Sequence, residues 1–254
     1  MGVFFLDFDG VLCDSAAETA VAAWRAGAAL WPEWRGPEPP PDALARFCKL
    51  RPLLETGYQA IALLRLIVTG ETDARIAAEF APLTTAVFSS TGCEKPALIR
   101  LFGDTRDRWI REDEAGWLAR HRFYPGTAAA VRRVLSAGHP LFILTTKQAR
   151  FTETLLRAAG IPLASAAIFG MESGKSKEDT LAEFVRSPHY AGRRFHFVED
   201  RLDTLERVMA RPELAGVALY FATWGYSLPA ERARAAALPR LTYWELPEFL
   251  QVTT

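Results

Sequence analysis

Two aspartates near the start of the chain have the residue type and the spacing of groups that do chemistry. The stretch "MGVFFLDFDGVLCDS" runs from four apolar residues, Val3 to Leu6, directly into Asp7, Asp9 and Gly10. Side chains alternate along a strand, so Asp7 and Asp9 would point the same way if the strand continued. Like charges held close together raise the free energy unless a cation or a changed protonation state relieves them. The pair therefore indicates that something at this strand end offsets the repulsion.

This pair of aspartates also has two simpler interpretations. A calcium-binding EF-hand loop needs a third oxygen ligand before its glycine and a distal glutamate, whereas Gly10 follows Asp9 directly. That interpretation fails. Asp7 and Asp9 as plain turn and N-cap residues remain an alternative, which loses weight once the other polar strand ends are considered.

The elements that would position these residues follow from the hydrophobic pattern. Short apolar runs recur at 140–146, 166–170, 195–200 and 217–225, and segments with helical spacing lie between them. Strand alternating with helix is the pattern of a doubly wound parallel sheet, whose ligand crevice lies at the carboxyl ends of the strands. All of these runs except 166–170 end there in polar or charged residues. We therefore expect an α/β, Rossmann-like core.

The stretch from about 15 to 122 has a different pattern. Its apolar spacing is mostly helical, and a proline-rich break, "RGPEPPP" (35–41), separates its first two helices. The chain returns to the core pattern at "FYPG" (123–126), a turn signal. We therefore predict a core of residues 1–14 plus 123–254 and a helical domain of residues 15–122 inserted after the first strand.

Composition excludes several classes of partner. The 254 residues contain 30 acids and 30 lysines and arginines, so the zero net charge gives no reason to expect nucleic acid or an anionic membrane as a partner. The cysteines, Cys13, Cys48 and Cys93, are odd in number and lack CxxC spacing, which suits a reducing compartment. The apolar start is broken by Asp7, far short of the roughly 20 residues of a membrane span. A soluble, cytoplasmic protein is expected.

Three later segments resemble, together with the first, the four motifs of a known family. They are "LFILTTKQ" (141–148), "GMESGKSKEDTL" (170–181) and "FHFVEDRLDTL" (195–205). In this order the four segments resemble the haloacid dehalogenase superfamily, in the capped phosphatase branch that includes phosphoglycolate phosphatases and β-phosphoglucomutases. The resemblance covers nearly the whole chain.

The resemblance assigns roles to the two aspartates. It implies that Asp7 is a nucleophile that forms an aspartyl phosphate. Asp9 would protonate the leaving oxygen and later activate water. Dehalogenases of this superfamily lack the second aspartate, because a halide leaving group needs no proton. The presence of Asp9 therefore favours phosphoryl transfer.

The same resemblance implies groups that bind the phosphate or the substrate. Thr145 would donate a hydrogen bond to the transferring phosphoryl group, while Gly10, Thr146 and Lys147 match positions of the surrounding loops. Alternatives stay open, since a β-branched threonine also suits a strand and Lys147 also suits a solvated helix start. Arg51, in the insert, is a candidate for substrate contact, although such a side chain also commonly extends to solvent.

One lysine of the third segment would offset the negative charge of the nucleophile and the phosphate. A phosphate-binding P-loop is excluded because Gly170 and Gly174 are separated by three residues where four are required. Relatives of the "KPxPxxL" form place the lysine six residues before the apolar residue, which selects Lys175, and others place it four before, which selects Lys177. The missing prolines favour Lys177.

The fourth segment supplies the carboxylates of a Mg²⁺ site. Asp200 matches the aspartate of the family's "GD" pair, while Glu199 replaces the glycine and Asp203 falls one residue early. Glu199 and Asp203 are therefore alternative partners of the metal, and the resemblance adds the Asp7 carboxylate and the Asp9 carbonyl. Magnesium suits such a site because it prefers a few carboxylates, waters and phosphate oxygens.

These observations predict a Mg²⁺-dependent phosphatase for a small phosphorylated metabolite, acting as a monomer or a homodimer. The insert corresponds to the mobile helical cap of this branch, which closes over the substrate. A phosphomutase of the β-phosphoglucomutase type and a non-catalytic regulatory protein remain alternatives, and a dehalogenase is the least favoured. The stretch "TWGY" (223–226) is predicted to be a structured loop beside the site.

Overall fold

The strand-like runs of the sequence form one parallel sheet. The computed structural model describes residues 2–252. Its strands are β1 (Gly2–Leu6), β2 (Cys13–Asp14), β3 (Arg122–Phe123), β4 (Leu141–Leu144), β5 (Ile168–Phe169), β6 (Arg194–Glu199), β7 (Val217–Ala222) and β8 (Leu241–Trp244). Six of them pair in parallel in the order β5-β4-β1-β6-β7-β8, and β2 and β3 form a separate two-stranded sheet. The predicted α/β core with a doubly wound parallel sheet is confirmed.

Helices connect these strands and also form the insert. They are α1 (Ala16–Gly27), α2 (Pro41–Leu50), α3 (Gln59–Val68), α4 (Asp73–Thr91), α5 (Lys95–Leu118), α6 (Thr127–Ser136), α7 (Ala149–Ala158), α8 (Lys177–Arg186), α9 (Leu202–Met209), α10 (Pro229–Ala236) and α11 (Leu246–Leu250). Within residues 2–252, every helix is too short or too polar to span a lipid bilayer.

The register of β1 determines which loops meet. Leu6, the last residue of β1, is paired with Ile143 of β4 on one side and with Val198 of β6 on the other. The segments that follow these three strands therefore leave the sheet at the same edge. The strand order also reverses at β1, and such a switch point is where open α/β sheets bind their ligands.

Apolar packing on the sheet holds this edge in place. All five residues of β1 are buried. On one face, Phe5 and Phe197 of the sheet belong to a single hydrophobic cluster with Leu181 of α8 and Leu205 of α9. Burying a side chain of this size contributes about 1.5–3 kcal/mol. The two helices that start beside the predicted site are therefore anchored to the strands that end there.

The chain divides into two compact units. One comprises the residues up to Asp14 and those from Phe123 onward, and it contains the six-stranded sheet. The other, Ser15–Arg122, contains helices α1 to α5 and is called the helical unit below.

A buried ion pair joins α1 to α5 inside the helical unit. Arg106 donates through Nε and Nη2 to the two carboxylate oxygens of Glu18, at 2.7 and 2.6 Å. The indole Nε1 of Trp117 donates to the same carboxylate at 3.0 Å. The side chains of Arg106 and Glu18 are 5% and 0% exposed. Because a buried ion without its partner is strongly destabilising, this pair fixes the two helices against each other.

Candidate active site

Asp7 follows β1 directly and is held at the edge of the sheet by its neighbours. Its N–H donates to the carbonyl of Val198 at 3.0 Å, which extends the pairing of β1 with β6. Its carboxylate Oδ1 accepts the N–H of Phe8 at 2.7 Å, and the Nζ of Lys177 lies 3.0 Å from the same oxygen. Asp7 is only 6% exposed. The predicted nucleophile is therefore buried and paired with a lysine.

Lys177 is the first residue of α8, and the start of that helix is fixed by a cap. The hydroxyl of Ser176 accepts the N–H of Asp179 at 3.1 Å, which satisfies one of the free donors of the first turn. Besides Asp7, the Nζ of Lys177 contacts Oε2 of Glu199 at 2.7 Å. The start of α8 therefore positions Lys177 between the carboxylates of Asp7 and Glu199.

Glu199, the last residue of β6, uses both of its carboxylate oxygens within the protein. Oε2 accepts from Lys177, while Oε1 accepts the N–H groups of Asp200 and Arg201, each at 3.1 Å. The residue is fully buried. Glu199 therefore anchors Lys177 beside Asp7, a role that its position in the sequence alone did not predict.

Asp200 has one engaged oxygen and one free oxygen. Oδ2 accepts the N–H of Tyr226 at 2.5 Å, whereas Oδ1 is buried and has no hydrogen-bond partner among residues 2–252. Asp7, Glu199 and Asp200 each bring one carboxylate oxygen within 4.8 Å of the others. We call these three residues the acidic cluster.

The acidic cluster fits a magnesium ion. Its donors are hard carboxylate oxygens, which Mg²⁺ prefers, and the unpartnered Oδ1 of Asp200 is a buried acceptor that a cation would satisfy. Among the ion pairs described, Lys177 contacts Asp7 and Glu199, and Lys147 contacts Asp9. The three carboxylates of the cluster are close enough together for one cation to contact them.

Burial makes these charges unfavourable and shifts the pKa values of the cluster. Desolvation and the charge of Glu199 raise the pKa of Asp7 to about 8, against the opposing effect of Lys177. Desolvation and the charge of Asp7 raise the pKa of Asp200 to about 6. Desolvation alone would lower the pKa of Lys177, but Asp7 and Glu199 outweigh it and raise that pKa. Without a cation the cluster therefore retains protons that ordinary carboxyl groups release.

Asp9 forms an ion pair with a second lysine, Lys147. The Nζ of Lys147 lies 3.3 Å from Oδ2 of Asp9, and the Lys147 side chain is only 2% exposed. The backbone N–H of Lys147 donates to the hydroxyl of Thr145 at 3.1 Å, which fixes the turn after β4. Thr145 is buried, while Thr146 is exposed. The structure therefore brings Asp9, Lys147 and Thr145 to the edge where β1 and β4 end.

Gly10 is required at its position for two reasons. Its φ of +89° lies in the region that L-amino acids with side chains rarely adopt. A Cβ added there would lie 1.9 Å from Oδ2 of Asp200. The loop after β1 therefore approaches Asp200 so closely that no side chain fits.

Two of the predicted site residues lie away from the acidic cluster. The Nζ of Lys175 contacts both oxygens of Glu183 at 2.7 Å on the surface, because the helix cap at Ser176 directs Lys177 inward and leaves Lys175 before the helix. Asp203, in the first turn of α9, is 53% exposed and lies 3.7 Å from Arg234. Of the two alternative partners of Asp200, the structure places Glu199 and not Asp203 in the cluster.

Arg51 lies in the helical unit, directly after α2. Its guanidinium Nη1 donates to the carbonyl of Leu54 at 3.3 Å, within the same turn.

Comparisons with known proteins show which solved structures have a similar fold. No protein-family model and no curated protein matches the chain. A predicted phosphoglycolate phosphatase from Haemophilus somnus has a TM-score of 0.62 at 15% identity, over 100% of this chain and 98% of that chain. A predicted phosphatase from Clostridium acetobutylicum has a TM-score of 0.60 at 15% identity, over 99% and 97%. A haloacid dehalogenase-like hydrolase from Streptococcus pneumoniae has a TM-score of 0.58 at 15% identity, over 100% and 99%.

These similarities extend over whole chains and identify the class of fold. At such low identity they concern the fold alone. The protein has the fold of the haloacid dehalogenase-like hydrolases, as the resemblance of its motifs predicted.

Proposed function

We propose that the protein is a Mg²⁺-dependent phosphatase that hydrolyses a small phosphorylated metabolite through Asp7. The observation that carries the proposal is the buried acidic cluster, in which Asp7 is paired with Lys177 and Asp200 keeps one acceptor oxygen free. Similar structures described as phosphatases support it. A small substrate is expected because the helical unit is inserted soon after the strand of the nucleophile, as the cap of the resembled branch is.

The chain's own residues account for both chemical steps. In the first step an oxygen of Asp7 bonds to phosphorus, the ester P–O bond breaks, and Asp9 gives its proton to the leaving oxygen. In the second step water attacks the aspartyl phosphate, Asp9 accepts the proton of that water, and inorganic phosphate leaves with Asp7 restored. Lys177 stabilises the negative charge beside Asp7 throughout, from 3.0 Å away.

Asp7 and Asp200 would hold the metal, with the backbone carbonyl of Asp9 as the resemblance implies. Bound Mg²⁺ would supply positive charge that stabilises the transferring phosphoryl group. Glu199 would hold Lys177 in place, because its two oxygens already accept three hydrogen bonds from the protein.

The proposal is tested by phosphate release from a panel of small phosphomonoesters, with Mg²⁺ or with EDTA. We expect release to require Mg²⁺ and to be lost in Asp7→Asn. The two lysines give a matched pair: Lys177→Met should lower kcat by roughly 10²–10³, while the exposed Lys175→Met should change it by less than about twofold.

Three results would contradict the proposal. They are activity that survives Asp7→Asn, equal effects of the two lysine substitutions, and the absence of turnover on every ester. Conversion of a phosphosugar into its isomer without net phosphate release would identify a phosphomutase instead.

A further inference from the structure

The loop of residues 223–226, which follows β7, contacts both segments that carry candidate cation ligands. The indole Nε1 of Trp224 donates to the carbonyl of Val11 at 3.0 Å. The hydroxyl of Tyr226 donates to Oδ1 of Asp14 at 2.5 Å, and the backbone N–H of Tyr226 donates to Oδ2 of Asp200 at 2.5 Å. The 223–226 loop therefore connects the segment after β1 to the segment after β6.

Gly225 lies against the Asp200 side chain without any space for a side chain of its own. A Cβ added at Gly225 would lie 2.4 Å from the carbonyl oxygen of Gly10, 2.5 Å from Cβ of Asp200 and 2.6 Å from its Oδ2. Its φ is outside the positive region, so the backbone itself would accept alanine. Glycine is therefore required at this position by close approach and not by backbone conformation.

These contacts constrain the carboxylate of Asp200 through one oxygen. Oδ2 accepts the N–H of Tyr226 and is closely approached by Gly10 and Gly225. Oδ1 is left as the buried oxygen without a hydrogen-bond partner in the described part of the chain. A carboxylate that is held in this way presents a single, fixed acceptor to a cation.

We propose that Gly225 and Tyr226 are positioning residues that fix Asp200 in the orientation in which its Oδ1 binds the divalent cation. Gly225 acts by its missing side chain, and Tyr226 acts by its backbone N–H and by the hydroxyl that ties the loop to Asp14. The inference rests on the proposed function, because it assumes a cation at the acidic cluster.

Isothermal titration calorimetry of the purified full chain with MgCl₂ tests this proposal. Gly225→Ala should raise the Kd for Mg²⁺ by roughly tenfold to hundredfold, the range found when residues that orient metal ligands are changed. Gly216→Ala is the matched control, since a Cβ at Gly216 meets no atom within 4 Å. It should leave the Kd within about twofold. Tyr226→Phe, which keeps the N–H and loses the bond to Asp14, should raise the Kd roughly fivefold.

A second measurement separates positioning from general destabilisation. Phosphate release by Gly225→Ala should recover toward the wild-type kcat as MgCl₂ is raised, because the defect lies in cation affinity. Wild type and Gly225→Ala are both assayed well below their melting temperatures in EDTA, where they are folded, so that lowered stability alone would leave the Mg²⁺ concentration needed for half-maximal activity at the wild-type value.

The outcomes are distinguishable. If wild type and Gly225→Ala bind Mg²⁺ with the same Kd, the positioning role is refuted and the proposed function stands. If wild type does not bind Mg²⁺ at all, both proposals fail. If Gly225→Ala does not fold, Tyr226→Phe decides: weaker Mg²⁺ binding supports the proposal, and wild-type affinity overturns it.

Discussion

Replacing Asp7 by asparagine should stabilise the protein when no divalent cation is present. The pKa of Asp7 is raised by burial and by Glu199, from 3.8 to about 8, so folding opposes its ionisation. Asparagine has a similar shape and no charge, and its side-chain oxygen can still accept the N–H that Phe8 now donates to Asp7. Lys177 keeps Glu199 as a partner at 2.7 Å, so the substitution leaves no buried charge alone.

The size of this stability difference, and the direction in which it changes with pH, follow from the raised pKa of Asp7. Between pH 3.8 and about 8, Asp7 holds a proton in the folded state but not in the unfolded state. The contribution of Asp7 to the free energy of unfolding therefore falls as pH rises through this window, by up to about 1.4 kcal/mol per pH unit, whereas asparagine does not titrate. The advantage of Asp7→Asn should grow from about 2 kcal/mol at pH 5 to an upper limit of about 5 kcal/mol at pH 8.

Urea unfolding in EDTA at several pH values between 5 and 8 measures this difference. Asp203→Asn is the control, because that carboxylate is 53% exposed and its substitution should change the free energy of unfolding only slightly. Adding MgCl₂ should then stabilise the wild type more than Asp7→Asn, since a ligand that binds only the folded state raises its stability. An advantage of Asp7→Asn that is absent, or that shrinks as pH rises, would refute the reasoning.

Three further predictions concern other buried contacts. Glu199→Gln should lower kcat for phosphate release by roughly 10², because Lys177 loses its anchor, while Glu183→Gln at the surface should leave kcat unchanged. Arg106→Met should lower the free energy of unfolding by about 3–5 kcal/mol in urea titrations, whereas Arg75→Met, in an exposed pair, should lower it by about 0.5 kcal/mol or less. Gly10→Ala should weaken Mg²⁺ binding in calorimetry by at least about tenfold, and wild-type affinity would contradict the contact with Asp200.

Much of the fold could be predicted because local patterns and global topology agree. β1 is apolar in every residue, which is typical of a strand buried on both faces of a parallel sheet. The strand after β4, at 166–170, looked exceptional because it ends without polar residues, and in the structure β5 is a short edge strand of two residues. The segment after β5 supplies its polar site residue, Lys177, from the start of α8 and not from the end of the strand.

The choice between the two candidate lysines could not be made from the chain alone. Lys175 and Lys177 are two residues apart, and both precede an apolar helix. What separates them is the first residue of α8, set by the cap from Ser176 to Asp179. Element boundaries of this kind depend on a few hydrogen bonds and are the least predictable feature of a sequence.

The role of Glu199 in positioning Lys177 also could not be predicted from the sequence. Glu199 stands where the family's motif has glycine. Because it lies next to Asp200, a predicted metal ligand, the sequence suggests that Glu199 binds the metal as well. The structure shows that backbone N–H groups of the turn after β6 and the amine of Lys177 already surround its carboxylate. These hydrogen bonds to Glu199 depend on the conformation of the turn after β6, which cannot be predicted from the spacing of residues in the sequence.

The acidic cluster also explains why stability and function oppose each other at this edge of the sheet. Burial raises the pKa values of Asp7 and Asp200 because each carboxylate is short of positive charge. Lysines alone do not supply it, since Lys177 is shared between Asp7 and Glu199. Replacing Asp7 or Asp200 by a neutral residue should therefore stabilise the protein in EDTA, while under the proposed function it would remove a carboxylate that holds the cation. We expect Mg²⁺ to stabilise the wild type most when the pH exceeds the raised pKa values of Asp7 and Asp200, because both carboxylates are then ionised.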